Sequence, residues 1–220
     1  MPKDNAVTVA DGSQRRASFQ RARSHQTKRS LVQAAMALWR TNGYAKTTVA
    51  DICRAAGVSR ALFYFYFLAK EDVLFEVGLL STRAAQKTVR TLLDSDYEIE
   101  TVVAEALRSL ERSMARNPRD LIVQTILEGY RQQHRILSGD RPAATDADMF
   151  GELFTRAKAD GKLGQHLTDI DVAHLSGLAQ MHVSEGVRHW ASGSFGDRSF
   201  AEVVARDIAA LIAGYNASSA

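Results

Sequence analysis

Apolar residues along this chain recur at steps of three and four in one segment after another, and no segment alternates apolar with polar residues as a half-buried strand does. The pattern predicts an all-α protein of about nine helices. Leu31, Ala34, Ala35, Leu38 and Trp39 share one face of a helix that Asn42-Gly43 stops. Thr48 followed by Asp51 is a capping-box pattern that starts a second helix, with Val49, Ile52, Cys53 and Ala56 on one face. Small Ala55 and Ala56 let another helix approach, Gly57 ends the helix in a tight turn, and Val58 plugs the angle beyond it. Ser59 then caps a short third helix to about Phe65, expected to bury Leu62 and Phe63. Two helices joined in this way form a helix-turn-helix over residues 48–67, of the size that enters a major groove.

Downstream, Tyr64-Phe65-Tyr66-Phe67 leads to Lys70-Glu71, which open an amphipathic helix through Val73, Leu74 and Val77. With both flanks, residues 27–80 closely resemble the DNA-binding domain of the TetR family of transcriptional regulators. The resemblance implies a helix-turn-helix domain over residues 24–69, with three helices, and a helical ligand-binding and dimerisation domain over residues 70–220. It also implies a site. Thr47 or Thr48 would hold phosphate, Ser59, Arg60, Ala61 and Leu62 occupy the positions that face base edges, and Tyr64, Tyr66 and Lys70 match residues that grip the DNA backbone. Three positions depart from the usual pattern: Cys53 stands where Ala is usual, Leu62 where Thr or a small residue is, and Tyr66 where His is common. Arg60 is the candidate for a bidentate guanine contact, with a phosphate contact as its alternative. Phe65 either touches a thymine methyl or packs on Phe67 and the first helix, with packing the favoured expectation.

Charge changes the picture because it is unevenly spread. Residues 1–70 hold 12 Lys/Arg against 3 Asp, net +9; the other 150 hold 16 Lys/Arg against 22 Asp/Glu, net −6, and the two sums recover the formal +3. A basic head on a mildly acidic body suits phosphate binding by the head alone. Residues 1–23 lack apolar periodicity and read as a disordered tail, whose Arg15, Arg16, Arg21 and Arg23 either follow DNA or only aid solubility. A single cysteine excludes an internal disulfide framework and, with no apolar leader and no window near the length of a membrane span, points to the cytoplasm.

The body reads as a series of amphipathic helices at about residues 70–93, 98–116, 120–137, 146–160, 169–191 and 199–215. By the family resemblance the last two would pair with their two-fold mates as a four-helix bundle, with Leu175, Leu178, Val183, Val204, Ile208 and Leu211 in the interface; the stripe alone describes ordinary core equally well. By the same resemblance a small apolar effector would sit among the middle helices. Tyr130, His134, Phe150, Phe154, Met181 and His182 are its candidate lining, each also explicable as packing. No metal site, cofactor or catalytic residue is expected: His174 and His182 lie two turns apart on one helix, too far to share an ion, and no Walker A, G-x-S-x-G or G-x-G-x-x-G motif occurs. The expectation is a homodimeric, ligand-responsive repressor that binds a near-palindromic double-stranded operator and no membrane. The alternatives are a small-molecule-binding helical protein with weak or non-specific DNA binding, and a DNA-binding activator of the same fold.

Overall fold

The computed structural model describes residues 5–139 and 148–217, with side chains from Ser18 onwards. Its helices are α1 (Asn5–Asn42), α2 (Val49–Ala56), α3 (Arg60–Tyr66), α4 (Lys70–Leu93), α5 (Ile99–Met114), α6 (Arg119–Leu137), α7 (Gly151–Ala159), α8 (Asp169–Ala191) and α9 (Phe200–Ala217). Among the described residues there is no strand, the all-α architecture that the apolar spacing predicts. Contacts divide the chain into two compact units, Met1–Val73 and Leu74–Ala220, so the boundary falls within the first turns of α4. No helix among the described residues is long and apolar enough to cross a membrane.

In the first unit α1 packs on α2 and α2 on α3. Leu31, Val32, Ala35 and Trp39 from α1, Ile52 and Cys53 from α2, and Phe63 with Phe67 are all buried. Leu62, expected inside beside Phe63, lies on the outer surface instead. The Ser59 cap fixes where α3 starts, and a helix of seven residues has room for one inward row; Phe63 and, one turn on, Phe67 take it. Ala55 is likewise exposed, and Ala56 and Val58 are half-buried.

The N-terminal tail also differs from expectation. From Asn5 the chain is already helical and continuous with the packed part of α1, so residues 5–23 are not a disordered tail; residues 1–4 lie outside the described residues. This stretch contains no proline and is rich in Ala, Gln and Arg, which sustain a helix. Ser18–Arg23 are all exposed, and an exposed stretch needs no apolar periodicity.

In the second unit α5 packs on α9, and α8 touches α6, α7 and α9. Val103, Leu107, Leu175, Val183, Val204 and Ile208 belong to one apolar core. Two devices set the position of α9. Glu111 of α5 receives hydrogen bonds from the Phe200 amide (2.7 Å) and the Ser199 hydroxyl (2.9 Å), capping the start of α9. At Gly186 a Cβ would stand 2.5 Å from a Val204 methyl, so α9 crosses α8 where there is no side chain. A Thr168–Asp171 capping box starts α8 at Asp169, as the sequence implies. The expected start of α7 near Asp146 lies outside the described residues; α7 itself begins at Gly151, because the Asp148 carboxylate collects the Phe150 and Gly151 amides.

Candidate nucleic-acid interface

Helix α2 is held at its start by a full capping box. The Thr48 hydroxyl accepts from the Asp51 amide (3.2 Å) and donates to the Asp51 carboxylate (2.6 Å), which also accepts from the Thr48 amide (3.0 Å). The Thr48 hydroxyl and amide, helped by Arg54, hold the Asp51 carboxyl below its ordinary pKa. At the other end Gly57 takes φ +66°, the left-handed conformation that favours glycine, and the Val58 amide returns to the Cys53 carbonyl. Ser59 then accepts from the Leu62 amide (3.1 Å) and launches α3. Thus one short turn, fixed by three local caps, sets the angle and rotation of α3.

That rotation turns Phe63 inward and leaves Ser59, Arg60, Ala61, Leu62, Tyr64 and Phe65 exposed on one continuous surface. Phe65 is 75% exposed, which overturns its expected packing on Phe67 and α1; its ring stands T-shaped against Tyr66. The row combines a guanidinium, a hydroxyl, a phenol and apolar groups, the mixture needed to read base edges and thymine methyls while touching phosphate.

Three backbone-contact candidates have internal partners. Thr47 is buried and donates its hydroxyl to the Gly43 carbonyl (2.8 Å), so of the two threonines only Thr48 reaches the surface. Lys70 donates to the carbonyls of Tyr44 and Thr47, each at 3.0 Å, and its ammonium sits 4.1 Å from the centre of the Tyr44 ring. It fastens the α1–α2 loop to the start of α4, which the sequence gives no means to foresee because the partners are backbone atoms over twenty residues away. Tyr66 is half-buried and donates to Ser24 of α1 (3.0 Å). Exposed Lys46, in the loop before Thr47, is a basic group that the motif-based reading passed over.

The other candidate sets disperse. Of the six effector-lining candidates, Phe150 and Phe154 lie together in the core, Tyr130, His134 and Met181 are exposed, and His182 pairs with Asp207 (3.2 Å). They fall into three groups: Phe150 and Phe154 turn into the core, Tyr130 and His134 are exposed one turn apart on α6, and Met181 and His182 are neighbours on α8. A cleft of about 550 Å³ between α7 and α8 is lined instead by Asp148, Gly151, Thr155, Lys158, Ala159, Asp169, Val172, Ala173 and Ser176. Of the interface candidates, Leu175, Val183, Val204 and Ile208 are consumed by the chain's own core, while Leu178 and Leu211 are half-buried. Sequence alone also missed a polar pair within the second unit: Glu128 and Gln132, both essentially inaccessible, joined at 2.7 Å. The three histidines of α8 go to different partners, His174 to Tyr215, His182 to Asp207 and His189 to Glu185. Among the described residues no three His, Cys, Asp or Glu side chains are placed to hold a metal ion.

Comparison with known proteins agrees with this geometry. Residues 31–77 match the family of bacterial regulatory proteins named for TetR. Over 88 residues, 39% of this chain, the sequence is 32% identical to the HTH-type transcriptional regulator EthR of Mycolicibacterium smegmatis, and that similarity spans 36% of the relative's length. The fold as a whole is shared with the repressor FadR of Thermus thermophilus, solved with lauroyl-CoA, at a TM-score of 0.66 and 24% identity, covering 88% of this chain and 97% of that one. RolR, solved with resorcinol, superposes with a TM-score of 0.57 at 18% identity, covering 87% and 89%. Through residues 31–77, the helix-turn-helix unit of this chain is similar to the TetR family of bacterial regulatory proteins.

Proposed function

We propose that this protein is a sequence-specific DNA-binding transcriptional regulator, a repressor that leaves a near-palindromic operator when a small apolar ligand binds its second unit. The observation that carries the reading is the exposed row from Ser59 to Phe65 on a helix whose rotation is fixed by the Ser59 cap, within a head of net charge +9 over residues 1–70. Arg60 reads a guanine edge, Leu62 and Phe65 offer apolar contact to thymine methyls, and Tyr64 and Thr48 lie to the side as phosphate contacts. Lys70 and Tyr66 act behind them, holding the loop and the end of α3 in register. A regulator of this kind, acting on a bacterial operator, would work in the cytoplasm.

Effector control is supported by the shared fold of FadR with lauroyl-CoA and of RolR with resorcinol, two ligands with apolar portions. In this chain the α7–α8 cleft, with Val172 and Ala173 beside Lys158 and Ser176, is the candidate entry for such a molecule. Dimerisation would use outward groups of α8 and α9: Ile170, Ala173, Gly177 and Met181 follow one another at helical steps on the surface, and Ala210, Ala213 and Gly214 are exposed on α9. Small residues there allow helices of two copies to approach closely.

The reading is tested by enriching duplexes from a random pool on the purified chain, then challenging the bound duplex with apolar compounds that include a long-chain acyl-CoA and a simple phenol. An enriched palindrome released by one of them is expected. Failure to enrich any sequence contradicts the DNA-reading function; enrichment without release contradicts effector control.

A further inference from the structure

We propose, resting on the DNA-binding reading above, that α3 tells bases apart chiefly by their C5 methyl groups. Uracil in place of thymine then weakens the operator, and 5-methylcytosine in place of cytosine imitates thymine.

The side chains that α3 can offer set this limit. From Ser59 to Ala69 the chain reads SRALFYFYFLA, with no Asn or Gln to bracket adenine, no Asp or Glu to accept from cytosine, and no Lys. Arg60 alone carries the fork that suits guanine. The Ser59 hydroxyl is tied to the Leu62 amide (3.1 Å) as the helix cap. The other exposed groups on the helix are Ala61, Leu62, Tyr64 and Phe65, and the apolar feature that bases present in the major groove is the C5 methyl of thymine.

The rotation of α3 puts apolar groups at the middle of its outward face. Phe63 is fully buried, and Ala61 and Phe65, two residues before and after it, fall on the far side of the helix, one turn apart. When a recognition helix lies in a major groove, that far side meets the base edges. Here it presents an alanine methyl and a phenyl ring, with Leu62 to one side and Arg60 and Tyr64 to the other. Phe65 is also held in place. Its ring stands T-shaped to that of Tyr66, centroids 5.1 Å apart at 89°, and the half-buried Tyr66 is bonded through its hydroxyl to Ser24 of α1 (3.0 Å). An anchored inner ring thus orients an exposed outer one. Leu68 extends the exposed apolar surface beyond the helix. Apolar side chains gathered in this way mark a surface that a partner covers, and the net +9 of residues 1–70 makes that partner a polyanion.

The test uses the full chain and a duplex enriched on it from a random pool, with affinity read by fluorescence anisotropy. Each thymine is replaced in turn by uracil, which removes the methyl and leaves every hydrogen-bonding group in place. At contacted thymines the affinity should fall about fourfold, the effect of exposing one buried carbon. At the same positions a 5-methylcytosine–guanine pair should bind about fourfold tighter than a cytosine–guanine pair. In Phe65→Ala the thymine duplex should bind more weakly, and the difference between thymine and uracil should vanish at one position of the half-site. Phe65 is exposed, so this change removes no core group. Equal affinity for thymine and uracil at every position, cytosine pairs indifferent to their methyl, or differences that all survive Phe65→Ala would overturn methyl readout while leaving a sequence-specific DNA-binding protein. Failure to enrich any duplex would overturn the DNA-binding reading and methyl readout with it.

Discussion

Arg60 is the first residue of α3, exposed, with the Ser59 cap directly before it. A side chain so placed has a fixed root and a free guanidinium, which is what bidentate recognition of guanine requires. Arg60→Ala should weaken the preferred base at one half-site position by about 1–3 kcal/mol while other positions keep their order of preference. Affinity titrations on a set of single-base operator variants measure this, and a uniform loss for every sequence would reduce Arg60 to a phosphate anchor. In the second unit, burial pushes the Tyr97 phenol up to about 12, assisted by its hydrogen bond to Asp160 (3.0 Å). Because the folded state holds this proton more tightly than the unfolded chain, Tyr97 contributes stability that is whole below about pH 10 and is lost as pH rises from there towards 12. Urea melts across that alkaline range should show the loss in the natural protein and a shallower one in Tyr97→Phe; parallel curves would contradict it.

At the scale of elements, what was legible in sequence was what is encoded locally. Thr48 with Asp51, Gly57 and Ser59 each act within four residues of themselves, so the limits of α2 and α3 follow from the chain alone. Leu62 and Phe63 were not separable, since Leu62 through Phe67 are all apolar or aromatic and only the cap decides which row turns inward. The helical character of residues 5–23 was hidden for a different reason: apolar periodicity reports burial, and Ser18–Arg23 are exposed. Leu175, Val183, Val204 and Ile208 illustrate a third limit, because core and interface stripes have the same period. Lys70 shows a fourth, its partners being carbonyls that no side-chain pattern reveals. The crossing of α8 and α9 yields a direct prediction. Gly186→Ala forces a Cβ against the stiff, buried Val204 and against Phe200, so it should destabilise the fold by about 1–3 kcal/mol, readable as a lower urea midpoint. An unchanged midpoint would show that α9 is free to shift.

At the scale of the whole molecule, the net +9 of residues 1–70 against −6 elsewhere would make the proposed affinity for DNA a property of the head and strongly dependent on salt. Assembly, under the proposed function, would belong to the body. Ile170 and Met181 stand 80% and 68% exposed on α8, apolar groups that a second copy would cover. Met181→Glu should convert a dimer to a monomer in sedimentation experiments without lowering the thermal stability of the protomer; a dimer that survives the substitution would assign assembly to another surface. A regulator of this kind requires that α3 read sequence. The most direct measurement is fluorescence-anisotropy titration of the full chain with an enriched duplex and with a shuffled duplex of the same composition, at two salt concentrations. Binding to the enriched duplex should be tighter by about 10³ or more, with a steep loss of affinity at higher salt on both duplexes. Equal, weak binding to the two would contradict it.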